Sequence, residues 1–139
     1  MTAERVDRQV QEAVRHRHIR PMLRTNERLL VAIGPGPFST RLIRWTRRMA
    51  YALDAPWMVV HVEGSRPVGD EVRRRLDANL ALARSLGAEV IVTRDDDVPG
   101  AILRVAAERG ATQIVVGKTR GPRVLRWMRG GIWRQRGRG

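Results

Sequence analysis

Two glycine-containing segments have the residue types of an anion-binding loop. They are GPGPFS at 34–39 and GKTRGPR at 117–123. A glycine turn that leads into a helix presents free backbone N–H groups, and Lys118, Arg120 and Arg123 add positive charge. The second segment therefore predicts a phosphate-binding loop. Glycines that only permit turns, beside arginines that only face solvent, explain the same composition equally well.

Each loop also carries a signal for the element that follows it. Ser39 can cap a helix after the first loop. Pro122 predicts the first turn of a short helix through Met128, and Gly130 with Gly131 would end that helix. The second loop would then lead into a helix N-terminus.

No side chains outside these loops have a spacing that favours catalysis. His16 and His18 would point to different sides of a helix, so solvated histidines are favoured over a metal pair. The run 95–97 is three aspartates directly before a predicted helix, which favours an N-cap over a cation site. His61 has no nearby Ser or Cys nucleophile, so it favours packing or ligand lining over catalysis.

Four short β-branched segments predict the strands that must position the two loops. They span 29–34, 57–63, 88–93 and 112–117, and Gly or Pro residues bound them as in buried parallel strands. The stretches between them have apolar residues at helical spacing: Leu42, Thr46, Met49 and Leu53; Val72, Leu76, Leu80 and Ala83; Ile102, Val105 and Ala106. Gly87 and Gly110 predict two helix ends, and Pro99 predicts the start of the third helix.

This alternation of strands and helices predicts a three-layer α/β fold. Strand–helix–strand connections of this length are right-handed crossovers, which give an open parallel sheet covered on both faces. Ligands of such sheets bind at the carboxyl ends of the strands, where the strand order reverses. The loops after strands one and four are therefore the expected site.

The composition predicts one globular domain and excludes several classes of protein. The chain has 139 residues, of which 42% are hydrophobic and 29% charged, and this length suits a single domain. No apolar run approaches the ~20 residues that span a bilayer, and charges throughout the first 20 residues argue against a signal peptide. The absence of cysteine fits a reducing compartment, so we expect a cytoplasmic location.

The net charge of +13 is concentrated near the C-terminus. Residues 111–139 contain eight basic residues and no acidic one, whereas 64–110 are neutral overall. This pattern supports an alternative function as a basic module that binds nucleic acid or an anionic membrane surface. Trp45, Trp127 and Trp133 could stack on bases, although packing explains Trp45 equally well.

Four segments that together cover most of the chain carry a family resemblance. They are TAERVDRQV at 2–10, ERLLVAIGPGPFSTRLIRWTRRMA at 27–50, SLGAEVIV at 85–92 and DDVPGAILRVAAERGATQIVVGKTR at 96–120. They resemble the universal stress protein domain of KdpD-type potassium-responsive sensor histidine kinases, and the first resembles the connector helix that precedes that domain. The resemblance implies the adenine nucleotide alpha hydrolase-like fold, strand order 3-2-1-4-5, and an adenine nucleotide across strands one and four.

The resemblance also implies that the ATP site is incomplete. ATP-binding members have Gly, two residues, Gly, nine residues, then Gly followed by Ser or Thr. Gly117 and Gly130 keep this spacing, but Arg120 replaces the middle glycine and Gly131 replaces the hydroxyl residue. The acidic residue that ATP binders place after strand one falls on Gly34. We expect weak ATP binding.

The resemblance also implies an incomplete site for a second family ligand, cyclic di-AMP. Some KdpD domains bind it through Ser-x-Ser and, twenty residues later, Phe-Thr-Ala-x-Tyr. That spacing falls on Gly34 and Gly36 and then on WMVVH at 57–61. Trp57 and His61 could contact a base, but both serine hydroxyls are missing. The candidate ligand-binding residues are Gly34, Gly36, Ser39, Trp57, His61, Val62, Gly117, Lys118, Arg120, Arg123, Gly130 and Gly131, with no catalytic and no metal-binding residue.

These patterns predict three segments. Residues 1–28 form a connector helix, 29–131 the universal stress protein-like domain, and 132–139 a basic tail. The family's fifth strand should follow Gly131 after a further helix, but the sequence stops at Gly139, so the chain is either a fragment of a longer kinase or a natural truncation. We expect strand order 3-2-1-4 with the fifth strand missing. Strand four would then be an exposed edge, with Ile114, Val115 and Val116, on which a second copy could form a homodimer.

The expected function is that of a regulatory domain without catalysis. It would sense a ligand or dock onto the other domains of a KdpD-like sensor kinase in potassium and osmotic two-component signalling. The expected ligand is ATP or cyclic di-AMP, bound weakly.

Overall fold

One six-stranded sheet organises the chain in the computed structural model, which describes residues 27–118, 121–128 and 131–133. The strands are β1 (Leu29–Ala32), β2 (Trp57–Glu63), β3 (Glu89–Arg94), β4 (Gln113–Lys118), β5 (Gly121–Met128) and β6 (Gly131–Trp133). The helices are α1 (Phe38–Leu53), α2 (Asp70–Ser85) and α3 (Val98–Arg109). The strand order is β3-β2-β1-β4-β5-β6.

The first four strands confirm the predicted parallel sheet. β1 pairs in parallel with β2 on one side and with β4 on the other, and β2 pairs in parallel with β3. The strand order therefore reverses at β1 and β4. This is the arrangement that places a ligand crevice beyond the carboxyl ends of those two strands.

The core lies in two layers, one on each face of the sheet. Leu29, Val31 and Val59 pack beneath α1 and α2. Leu30, Met58 and Val60 pack beneath α3 on the opposite face. Because side chains alternate along a strand, a strand buried on both faces must be apolar throughout, as Leu29, Leu30 and Val31 are in β1. The predicted three-layer arrangement is confirmed.

The predicted boundaries of α2 and α3 are also confirmed. Asp97 is the N-cap of α3, and its Oδ1 accepts a hydrogen bond from the Gly100 N–H at 3.2 Å. Pro99 lies in the first turn, and Gly110 ends the helix with φ of 71°. Gly87 follows α2 with φ of 98°. Both glycines adopt left-handed conformations that side-chain-bearing residues rarely take.

The predicted helix from Pro122 to Met128 is wrong, because these residues form β5. β5 runs antiparallel to β4, with Lys118 opposite Gly121 and Gln113 opposite Arg126. Two residues separate the strands, which suffices for an antiparallel hairpin, whereas a parallel crossover needs about a dozen. Gly121 has φ of 136° at the start of the returning strand.

The expectation of a missing fifth strand and an exposed β4 is also wrong. β5 pairs along all of β4, and β6 pairs with β5. Ile114 and Val115 are buried, and Val116 is partly buried. A homodimer through an exposed β4 edge therefore has no basis here. β6 also continues to Trp133, past the predicted domain boundary at residue 131.

Several predictions fall outside the described residues. They concern the connector helix within 1–26, the anion-binding role of Arg120, the role of Gly130 and the basic tail beyond residue 133. Within the part of the chain that the structure describes, no helix is both long and apolar enough to span a bilayer.

Candidate functional site

The structure brings the β1–α1 loop and the end of β4 together at one edge of the sheet. β1 and β4 are parallel neighbours, so the loop 34–37 and Gly117 lie on the same side of the molecule. The contact between them is close: a Cβ built on Gly117 would lie 2.9 Å from Phe38 Cε2 and 3.0 Å from Leu42 Cδ1. Gly117 therefore lets α1 approach β4, a packing role that is independent of any ligand.

Ser39 closes the β1–α1 loop and does not cap the helix as predicted. Pro37 is the N-cap of α1, and no side chain makes a cap hydrogen bond there. The Ser39 side chain is buried, and its Oγ accepts a hydrogen bond from the Gly34 N–H at 2.9 Å. The hydroxyl thus fixes the first residue of the loop from the first turn of the helix.

Asn79 on α2 fixes the same loop from the other side, and the sequence analysis did not identify it. Its Nδ2 donates to the Gly34 carbonyl at 2.8 Å and to the Gly36 carbonyl at 3.2 Å. Its Oδ1 accepts from Thr40 Oγ1 at 3.4 Å. A polar residue within the apolar stripe of Leu76 and Leu80 was the available signal, because buried side-chain amides need hydrogen-bond partners.

The β1–α1 loop has few backbone donors left for a ligand. Pro35 and Pro37 have no N–H, and the Gly34 N–H is bonded to Ser39. Among the residues that the structure describes, no backbone acceptor bonds the N–H groups of Gly36 and Phe38. The loop does have space, because a Cβ on Gly34 or on Gly36 would meet no atom within 4 Å. The loop therefore has room for a side chain at Gly34 and at Gly36, where the sequence has none.

His61 lies near the carboxyl end of β2, where a backbone carbonyl orients its ring. Its Nδ1 is 3.0 Å from the Ile33 carbonyl oxygen, and since a carbonyl only accepts, we assign a hydrogen to Nδ1. Val62, the next residue, packs against the core on the α3 side.

Trp57 does not join this site, because it lies at the other end of β2. It is the first residue of the strand and pairs with Leu29, so four residues at ~3.3 Å each, or about 13 Å, separate it from His61. Its side chain is only 8% exposed and belongs to the core beneath α1 and α2. It also lines an open groove of about 600 Å³ with Arg47 and Tyr51. Trp57 is therefore separated from the carboxyl edge of the sheet, and its contact with a ligand base stays a prediction.

The second predicted loop lacks the helix start on which its phosphate site depended. Lys118 ends β4 opposite Gly121, and Arg123 is exposed on β5. Gly131 begins β6. Because residues 121–128 form a strand, they do not provide the free N–H groups of a helix N-terminus.

A cluster of charges lies beyond the end of β2. Arg73 Nη1 donates to Glu63 Oε2 at 3.0 Å, and Arg94 Nη2 lies 3.7 Å from Glu63 Oε1. The hydrogen bond from Arg73 is the main reason that the pKa of Glu63 lies below its ordinary value of 4.5. Asp96 fixes the next loop, since its Oδ1 accepts from the Ser65 N–H at 2.8 Å. These carboxylates have structural partners.

Comparison with known proteins places this arrangement in a family. The model of the universal stress protein family matches residues 25–134. The chain is 41% identical to the sensor protein KdpD of Mycobacterium tuberculosis over 106 residues, and 32% identical to that of Escherichia coli over 130 residues. These matches cover 76% and 92% of the chain but only 12% and 14% of the relatives, so the chain spans about one eighth of their length.

Solved structures share the fold. A universal stress protein from Archaeoglobus fulgidus in complex with dAMP has a TM-score of 0.51 and 25% identity, over 68% of this chain and 83% of that one. A universal stress protein in complex with cAMP has a TM-score of 0.53 and 20% identity, over 67% and 73% of the two chains. The second likeness shows the fold alone.

Proposed function

The chain belongs to the universal stress protein family, and from this premise we propose that it is a regulatory domain of a KdpD-like sensor kinase. It acts on the cytoplasmic side of the membrane in potassium and osmotic two-component signalling, by sensing a ligand or docking onto other kinase domains. The observation that carries this proposal is the identity of 32–41% to KdpD proteins. The matched segment is a small part of each of these sensors, as expected of one domain within such a kinase.

The described residues support a role without catalysis. Nucleophilic catalysis needs a hydroxyl or thiol next to a base that a third group orients. Ser39 Oγ is bonded to the Gly34 N–H, and a backbone carbonyl, that of Ile33, orients His61. The chain contains no cysteine.

The ligand of the site is an adenine nucleotide held weakly, either ATP or cyclic di-AMP. The dAMP complex of the Archaeoglobus protein supports the ligand class. The weakness follows from the loop, where Gly34 and Gly36 lack side chains and two prolines lack N–H groups. Each missing hydrogen bond forgoes about 0.5 to 1.5 kcal/mol, so losing two or three weakens binding about tenfold to a thousandfold.

Isothermal titration of the chain with ATP and with cyclic di-AMP, at near-physiological salt, tests the ligand. We expect dissociation constants well above micromolar. Micromolar or tighter ATP binding would contradict a degenerate site. The signalling role has a separate test in a kinase that contains this domain: variants at Gly117 or Asn79 should change the dependence of autophosphorylation on potassium, and an unchanged dependence would contradict it.

Helix α1 favours a second candidate, a basic binding module. Its sequence contains Arg41, Arg44, Arg47 and Arg48 and no acidic residue, and all four arginines are exposed. None of them forms an ion pair within the described residues. Binding to duplex DNA or to anionic vesicles that weakens steeply with salt, and that nucleotide leaves unchanged, would favour this candidate.

A further inference from the structure

Asn79 is the one polar residue on the buried side of α2. The buried residues of this helix are Leu76, Asn79, Leu80 and Ala83. Asn79 is 9% exposed, so its carboxamide has lost most of its contact with water. Burying an amide without hydrogen bonds is costly. Within residues 27–118, 121–128 and 131–133, the partners of the Asn79 carboxamide all belong to the β1–α1 loop and the start of α1.

The bonds from Asn79 reach the two most adaptable residues of the loop. Pro35 and Pro37 have fixed φ angles, whereas Gly34 and Gly36 can adopt many backbone conformations. The two hydrogens of Nδ2 suffice for the bonds to both glycine carbonyls. The carboxamide therefore restrains the part of the loop that the prolines leave free.

From this geometry we propose that Asn79 is the residue that positions the β1–α1 loop for ligand binding. It connects α2 to the loop, so the conformation of the loop depends on the position of α2. The relation is reciprocal, because a ligand that rearranges Gly34 or Gly36 must change their bonds to α2. The structural part stands by itself, and the effect on ligand binding rests on the proposed function.

Hydrogen exchange of the full chain tests the positioning role. Asn79→Leu removes both donors, and Asn79→Asp keeps the shape but places a carboxylate oxygen against two carbonyl oxygens. We expect the amides of Gly34, Ser39 and Thr40 to exchange at least about fivefold faster, the loss expected for two ordinary hydrogen bonds. The amides of the core strand β2 should change by a smaller factor.

Thr40→Val is the matched control. It removes the 3.4 Å bond to Asn79 Oδ1 and leaves both bonds to the loop carbonyls, so exchange in the loop should stay within about twofold. A merely structural role for Asn79 would accelerate loop and strand amides by the same factor. That result, or no acceleration in either Asn79 variant, would overturn the proposal.

A titration with ATP and cyclic di-AMP separates this proposal from the proposed function. Where the wild-type chain binds nucleotide, Asn79→Asp should weaken binding about tenfold, and Thr40→Val should not. Equal affinity of Asn79→Asp and wild type would overturn the effect on the ligand. A wild-type chain that binds neither nucleotide contradicts the proposed ligand, while the exchange rates still decide the role of Asn79.

Discussion

The ring of Phe38 lies against Gly117, so close that a Cβ at position 117 would be 2.9 Å from Phe38 Cε2. This contact joins the first turn of α1 to the end of β4, across the point where the strand order reverses. The glycine that resembles the start of a phosphate-binding motif is required for packing in any case. The presence of Gly117 alone therefore does not indicate a ligand-binding site.

Gly117→Ala should destabilise the domain. The added methyl group overlaps Phe38 and Leu42, and overpacking of this kind costs about 1 to 3 kcal/mol. Chemical denaturation measures the loss. Gly36→Ala is the matched control and should be nearly neutral, because a Cβ there has open space. Equal losses for the two variants would contradict the steric explanation, and Phe38→Ala should reduce the cost of Gly117→Ala.

Gly34→Ser combined with Gly36→Ser should strengthen the binding of cyclic di-AMP. The double change supplies the two hydroxyls of the family's Ser-x-Ser motif at positions where the structure has room. Two added hydrogen bonds predict a gain of about fivefold to a hundredfold, measured by isothermal titration. Gly34→Ala with Gly36→Ala provides the same bulk without hydroxyls and should give no gain. A gain in both double variants would show that hydrogen bonding is not the cause.

Thr46→Val should stabilise the protein. Thr46 is fully buried in α1, and within the described residues its Oγ1 has no hydrogen-bond partner. Replacing the hydroxyl with a methyl group of similar size removes an unsatisfied polar atom, and we expect a gain of about 1 kcal/mol, seen as a higher Tm.

Thr112→Val is the matched comparison for Thr46→Val. Thr112 Oγ1 accepts from the Arg28 N–H at 3.0 Å and donates to Glu27 Oε1 at 2.7 Å. This change should therefore destabilise the protein by about 1 to 3 kcal/mol. If both valine variants shift Tm in the same direction, the hydrogen-bond state of the two hydroxyls does not explain their effects.

Arg73→Gln should raise the pKa of Glu63. The hydrogen bond from Arg73 is the main cause of its lowered pKa; desolvation opposes it, and the charges of Arg73, Arg94 and His61 add smaller lowering effects. Because the folded-state pKa lies below the unfolded one, the ionised carboxylate stabilises the fold. That contribution is present above the ordinary value of 4.5 and is lost as the pH falls through the folded-state pKa.

The titration of the Glu63 carboxyl by NMR checks this prediction. Arg74→Gln is the control, since Arg74 lies near Glu71, at 3.8 Å, and makes no ion pair with Glu63. The acid-induced loss of stability between the two pKa values should be smaller in Arg73→Gln than in Arg74→Gln. An unchanged Glu63 titration in Arg73→Gln would contradict the assigned cause.

The central part of the fold was predictable because its signals are strong. β2 was predicted at its observed bounds, and the other three parallel strands differ by at most two residues. Such strands are apolar on both faces, and the helices between them have a clear 3.6-residue period. Gly110 and Asp97 marked helix ends through backbone conformations and caps that few other residues provide.

β5 was not predictable in the same way because the segment RVLRWM is compatible with both a helix and a strand. As a helix, Pro122 suits the first turn. As a strand, Val124 and Leu125 point to opposite faces, and the structure places them against opposite layers of the core. A short apolar run does not decide between these alternatives. The antiparallel pairing with β4 decides it, and that pairing is a tertiary property.

The hydrogen bonds that fix the β1–α1 loop could not be predicted, because they join residues that local sequence patterns do not pair. Ser39 is a good N-cap residue by type, but its partner is the Gly34 N–H, five residues earlier. Asn79 lies 45 residues from Gly34 in sequence. The amide in an apolar stripe indicated that a partner must exist, but nothing in the sequence said which one.

The pairing of β1 with β4 has a consequence for the order of folding. Leu29 of β1 pairs with Trp57 on one side and with Gln113 on the other. During synthesis β1 can therefore pair with β2 early, but its other edge has no β4 partner until residues 113–118 have been made. Contacts of such large sequence separation slow folding. The hairpin of β4 and β5 is local and can form quickly, so these two strands can enter the sheet as a preassembled unit that closes the open side of β1.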